Sequence, residues 1–85
     1  MRHVATASFW KSYDALPKRV RELADKNFAL LKQNPDHNSL WFKNVKDELW
    51  SARVGMHHRA LALAHDGGFA WFWIGSHAEY DRLIR

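Results

Sequence analysis

Arg53, Arg59, His77 and Tyr80 are the residues of this chain whose types and placement could do chemistry together. Arg53 ends a strand-like run with Val54 and Gly55, and Arg59 opens the next run, so a short connection could bring both guanidiniums to one mouth. Their fixed forks of N–H donors suit phosphate oxygens. The competing role for both is surface pairing with Asp or Glu. His77, with an unperturbed pKa of about 6.5, can give or take a proton near neutral pH; its alternative is a structural bond to a backbone carbonyl. Tyr80 follows one helical turn later on the same face, where it could stack on a base, donate a hydrogen bond to phosphate, or close the core. Lys43 is a further phosphate candidate. His57 and His58 adjoin Arg59, and because strand neighbours point to opposite faces, at most one of them can share a site with it. His58 stands with Lys43 as a substrate-binding candidate. The histidines form no HxxxH-type pair on an expected helix, so neither a metal site nor a cofactor is expected.

Composition bounds the scaffold that must hold these groups. With 85 residues, 47% of them hydrophobic, the chain is near the lower limit for one independent core, and residues 1–85 are expected to form a single domain. There are no cysteines, which excludes a disulfide framework and a thiolate zinc site. No apolar run reaches the roughly 18 residues of a membrane span, and Met1-Arg2-His3-Val4-Ala5-Thr6 lacks the apolar stretch of a signal peptide. A soluble cytoplasmic protein without membrane association is expected. Thirteen Lys and Arg against nine Asp and Glu give +4, a balance that attracts polyanions and fits nucleic acid or an acidic protein, as well as solubility alone. Five tryptophans point to a core first and to a stacking or partner surface second.

The elements that must position the candidates are helical first, then extended. A short extended lead-in, His3 to Ala7, meets Ser8, an expected N-cap for a brief helix with Phe9, Trp10 and Tyr13. Leu16-Pro17 ends it. Pro17 then opens a longer helix whose apolar positions Val20, Leu23, Ala24, Phe28, Leu30 and Leu31 follow the helical period, and Asn34-Pro35 stops it. The outer face, with Lys18, Arg19, Arg21, Lys26 and Lys32, reads as solvated. Strand-like runs follow at Leu40-Val45, Leu49-Val54, Arg59-Ala64 and Phe69-Ile74, with Asp66-Gly67-Gly68 the clearest hairpin turn. Phe69-Ile74 is apolar on both alternating faces, the mark of a central strand. Ala60, Ala62 and Ala64 leave room for a helix, while Leu61 and Leu63 share the face of Arg59. Ser76 with Glu79 makes a capping box for a last short helix, from which His77, Tyr80, Leu83 and Ile84 are expected to project toward the sheet.

The ordered set Leu16-Pro17, Asn34-Pro35-Asp36-His37-Asn38-Ser39-Leu40, Phe42-Lys43, Trp50-Ser51-Ala52-Arg53-Val54-Gly55, His58-Arg59-Ala60 and Trp73-Ile74-Gly75-Ser76-His77-Ala78-Glu79-Tyr80 resembles the RelE/ParE superfamily of type II toxin-antitoxin toxins, over nearly the whole chain. The resemblance implies an α+β fold, with N-terminal helices on a curved antiparallel sheet and a short C-terminal helix. It also implies one of two activities. The RelE-like branch cleaves mRNA on the ribosome and so inhibits translation; the ParE-like branch inhibits DNA gyrase. A third possibility is a catalytically silent relative that only binds an antitoxin. The partners expected are a cognate antitoxin protein and mRNA on the ribosome, or DNA gyrase for the second branch. Ser51 stands where the RelE-like branch often has a lysine, so the basic cleft is sparser here. Metal-independent RNA cleavage needs a base, cations and an acid in one place. His77 can serve as acid or base, Arg59 and Arg53 can grip the scissile phosphate, and Tyr80 can help to position substrate.

Overall fold

The computed structural model describes residues 2–85. The order is β1 (Arg2–Ala5), α1 (Ala7–Asp14), α2 (Lys18–Gln33), β2 (Lys43–Lys46), β3 (Leu49–Val54), β4 (His58–His65), β5 (Gly68–Ser76) and α3 (His77–Leu83). The five strands form one sheet in the order β1-β5-β4-β3-β2. The expected α+β architecture with its short last helix is present.

The sheet is mixed rather than wholly antiparallel. The extended lead-in is a fifth strand, β1, which runs parallel to β5 in the register Arg2↔Gly68 to Ala5↔Trp71. A parallel pair is joined by a long crossover, not a hairpin, so no turn residues announce it. Three of the four β1 residues are exposed, which removes the alternation that would mark a strand. Once β1 is docked, Thr6 rather than Ser8 caps α1: its N–H donates to the Trp71 carbonyl (2.9 Å) and its hydroxyl accepts from the Phe9 N–H (3.2 Å). Ser8 lies inside the helix and donates to the Phe72 carbonyl (2.8 Å). Pro17 stands at the cap of α2, just before its first residue.

The antiparallel part follows the expected meander. Asp66 (φ 48°) and Gly67 (φ 75°) make the two-residue connection between β4 and β5, as Asp-Gly favours. β2 begins later than expected because Trp41, at φ 47°, interrupts the extended run, although the Leu40 carbonyl still accepts from the Arg53 N–H. The β4–β5 register shifts between Leu61↔Trp73 and Ala62↔Trp71, leaving Phe72 as the extra residue of a bulge.

The two sides of the sheet differ. On one, α1 packs against β5 and α2 against β3, and Leu16, Val20, Ala24, Leu31 and Leu40 meet Ala52, Val54, Ala60, Ala62, Phe69, Trp71 and Ile74. A fully buried Leu or Ile contributes about 1.5–3 kcal/mol of transfer free energy. Ala60 and Ala62 of β4 are buried in this core, but α1 and α2 pack on β5 and β3 and not on the alanines of β4 as the sequence suggested. On the other side, α3 touches β4 and β5 and buries Leu61, Ser51 and its own Tyr80. Of the four residues expected to face the sheet from this end of the chain, Tyr80 is buried, Ile84, at the cap of α3, half-buried, and His77 and Leu83 are exposed. The helix is seven residues long and covers the strands with about two turns.

Candidate functional site

Arg53 and Arg59 are direct cross-strand partners, and Gly75 continues their row onto β5. Arg59 shares a face with Leu61, and Arg53 with Ser51, so both arginines belong to the side that carries α3. The Arg53 Nε donates to the Gly55 carbonyl (3.2 Å), and the Arg59 Nη1 donates to the His58 carbonyl (3.1 Å). Among the described residues, neither guanidinium lies within 4.0 Å of a carboxylate oxygen. The surface ion pairs that were the competing role for both arginines are not formed. Partial burial, and then the nearby Arg53 charge, hold the Arg59 guanidinium below its ordinary pKa, though arginine remains charged in proteins. Like charges directly opposite on neighbouring strands are destabilising. An anion seated between them would relieve that repulsion.

Tyr80 links this pair to α3. The Arg59 Cζ lies 5.9 Å from the centroid of its ring, and the His77 ring centroid is 6.1 Å away on the other side of the contact chain. The capping box that starts α3 is complete: Ser76 Oγ accepts from the Glu79 N–H (3.1 Å), and the Glu79 carboxylate accepts from the Ser76 N–H (3.1 Å). The bond from the Ser76 N–H, and then one from the Ser76 hydroxyl (2.9 Å), draw the Glu79 carboxyl below its ordinary pKa. The His77 N–H donates to the His57 carbonyl (2.7 Å), which ties the start of α3 to the β3–β4 turn. His77 itself is about half-exposed, and its Nδ1 stands 3.3 Å from Asp81 Oδ2. A carboxylate at Nδ1 fixes ring orientation and tautomer and leaves Nε2 as the nitrogen free for proton transfer. Asp81 also lies close enough to Arg59 to favour its charged form.

Four of the candidates, Arg53, Arg59, Tyr80 and His77, are thus brought together as a connected chain. Tyr80, however, is only 6% exposed, and its hydroxyl points inward to Ser51 Oγ (3.4 Å). It is a floor beneath Arg59, not a free stacking surface. Ser51, 1% exposed, sits under that floor and adds no charge to the arginine pair. Lys43 is exposed on the same side, across from Ser51. His58 is not part of the group. It pairs with Val54 and Ser76 on the side of α1 and α2, and burial, followed by neighbouring His57, lowers its pKa.

Two residues were not singled out in the sequence. Asp81 carried a signal, the i,i+4 spacing from His77 on a capped helix. Trp41 carried none: it is 58% exposed on the same side as Lys43 and Arg53, between buried Leu40 and the core-packed Phe42. Among the described residues no group of three or more His, Cys, Asp or Glu is arranged to hold a metal ion.

No protein-family model matches the sequence, and no curated protein matches it. Solved structures do match. A YoeB/ParE toxin from Agrobacterium tumefaciens superposes with a TM-score of 0.68 at 21% identity, covering 91% of this chain and 99% of that one. The RelE–RelB antitoxin-toxin complex from Methanococcus jannaschii gives 0.74 at 13% identity, over 96% and 99%. YafQ from E. coli gives 0.73 at 15% identity, over 93% and 96%. The chain therefore has the RelE/ParE-like toxin fold, matched over nearly its full length.

Proposed function

We propose that this protein is the toxin of a type II toxin-antitoxin pair, acting in the cytoplasm as a metal-independent endoribonuclease on mRNA at the ribosome. The observation that carries the reading is the cross-strand pair Arg53–Arg59, without a carboxylate partner among the described residues and joined through Tyr80 to the His77–Asp81 pair. In this reading the two guanidiniums hold the scissile phosphate and stabilise the charge that grows on its oxygens. The 2′-oxygen attacks phosphorus, the bond to the 5′-oxygen breaks, and a cyclic phosphate and a 5′-hydroxyl result. His77 Nε2 carries proton transfer at the reacting oxygens, and Asp81 keeps the ring turned for it. Tyr80 supports Arg59 from below.

A cognate antitoxin is the expected protein partner, in keeping with the antitoxin named in the structures from M. jannaschii and Pyrococcus horikoshii. No helix among the described residues is long and apolar enough to cross a membrane. Ser51, uncharged where the RelE-like branch often has a lysine, leaves the basic face sparse and favours as second reading a ParE-like inhibitor of DNA gyrase. The two separate on expression of wild type and His77→Ala, with transcript ends mapped and gyrase supercoiling assayed in parallel. New 5′ ends in wild type that fall about 10²–10⁴-fold in His77→Ala, the usual size of a general acid–base contribution, support the nuclease. Inhibited supercoiling with intact transcripts moves the protein to the gyrase branch. No growth effect from either form leaves only an antitoxin-binding relative.

A further inference from the structure

The α3 side of the sheet has one large exposed aromatic residue beside its cations, and it is Trp41 rather than Tyr80. Tyr80 was the aromatic that could stack on a base, but its ring is buried under Arg59. Trp41 is 58% exposed and takes a left-handed φ of 47°, a conformation that a bulky side chain rarely adopts and that is concentrated at functional sites. The Lys43 Nζ stands 5.0 Å from its ring centroid and the Arg53 Cζ 5.7 Å. Neither cation has a carboxylate within 4.0 Å among the described residues. An indole more than half exposed, with two positive charges within 6 Å of its ring, is a poor apolar anchor for an ordinary protein partner, whose carboxylates alone would match it. It suits a ligand that offers a flat ring and a negative charge in alternation, as a nucleotide chain does.

From this placement we propose that Trp41 is the stacking platform for one base of a single-stranded nucleic acid whose backbone then crosses Arg53 and Arg59. Adjacent strands lie about 4.8 Å apart, so the row from Trp41 through Arg53 and Arg59 to Gly75 spans roughly 14 Å, enough for a few nucleotides. Lys43 and Arg53 receive the phosphates that flank the stacked base. The inference rests on the proposed reading that the arginine pair binds phosphate, and it adds the residue that seats a base beside it.

The test is fluorescence anisotropy with a labelled hexauridine carrying 2′-O-methyl groups, which cannot be cleaved, against wild type, Trp41→Ala, Trp41→Gly and Trp41→Phe. Loss of one stacked base is expected to weaken binding on the order of ten- to a hundredfold in Trp41→Ala and Trp41→Gly. Trp41→Phe should stay within a few-fold. Trp41→Gly should melt at or above the wild-type temperature, because glycine adopts positive φ without strain, so a loss of binding there is not a loss of fold. A set of probes each lacking one base should contain one on which Trp41→Ala costs nothing further. Wild-type affinity in Trp41→Ala overturns the inference, even where Arg59-dependent cleavage is found and the nuclease reading stands. Weaker binding only to a co-purified antitoxin overturns it too, in favour of a protein contact. Trp41-dependent binding without any cleavage of mRNA on translating ribosomes supports the inference and removes the nuclease reading, whereas no binding by wild type overturns the inference.

Discussion

The same three strands, β3, β4 and β5, present two surfaces built on opposite principles. Toward α1 and α2 they offer Ala52, Val54, Ala60, Ala62, Trp71 and Ile74, all buried, and the polar groups there find partners, as Trp71 Nε1–H does at His3 Nδ1 (3.0 Å). Toward α3 they offer Arg53 opposite Arg59, with Lys43 and Trp41 at the flank. There the charges repel, the tryptophan is strained, and the buried area is supplied mainly by Leu61, Ser51 and Tyr80. One side holds the fold together; the other is held by it. Residues that lower stability and yet occupy a coherent row are the pattern of a binding surface.

That contrast makes the two sides respond oppositely to truncation, and the largest effect belongs to the helix side. Trp71→Ala removes a buried indole and leaves a cavity, for a cost of about 3–5 kcal/mol against a total stability of only about 5–15 kcal/mol for a domain of this kind. Urea unfolding should show the variant near the edge of folding. A loss as small as that of a surface substitution would mean that the core does not rest on this residue.

Arg59→Met, on the other side, keeps an apolar stem over Tyr80 and removes one of two opposed charges. Its expected effect on stability is small and favourable, up to about 1 kcal/mol for relief of a like-charge pair. On the proposed nuclease reading, cleavage should fall about 10²–10³-fold, as when one electrostatic donor is removed from a developing charge. The pair of measurements sharpens the comparison. A variant that loses stability along with activity would place Arg59 in the structural half of the molecule.

The difference between the sides also decided what could be read from the sequence. β3, β4, β5 and the start of α3 were legible because alternation, an Asp-Gly turn and a Ser-x-x-Glu box are local signals, each satisfied by residues within reach along the chain. Arg53 and Arg59 followed from those strands, since a short connection forces the end of one beside the start of the next. β1 was not legible as a strand, because its partner lies far along the chain and its own side chains are mostly exposed. Closing the core was one of the roles open to Tyr80, and its burial against Ser51 decides for it, whereas the outward turn of Trp41 goes with a backbone dihedral that tryptophan does not announce. His58 was placed beside Arg59 by adjacency alone, and strand alternation carried it to the opposite side.

The smallest expected effect probes the helix side through pH. The His3 ring stacks on Phe69 (centroids 5.7 Å apart, 18° between planes) and meets the edge of Phe28 at 5.7 Å. Its Nδ1 accepts from Trp71, so a proton there would set two donors against each other. Burial above all, with a smaller share from the charge of Lys32 on α2, holds its pKa below the ordinary value. The unfolded chain therefore takes up the proton first. Stability should be level above about pH 6.5, fall as pH drops from there to the lowered folded value, and then level off. His58, also lowered by burial, adds to the same fall, so the contrast that isolates His3 is with His3→Gln, which cannot gain this charge. Urea midpoints for the two proteins across this range should converge at low pH if His3→Gln starts lower, and the wild-type slope should be the steeper. Equal slopes would show that protonation at His3 is not resisted by the fold, and that the helix side is less closed to charge than its burial implies.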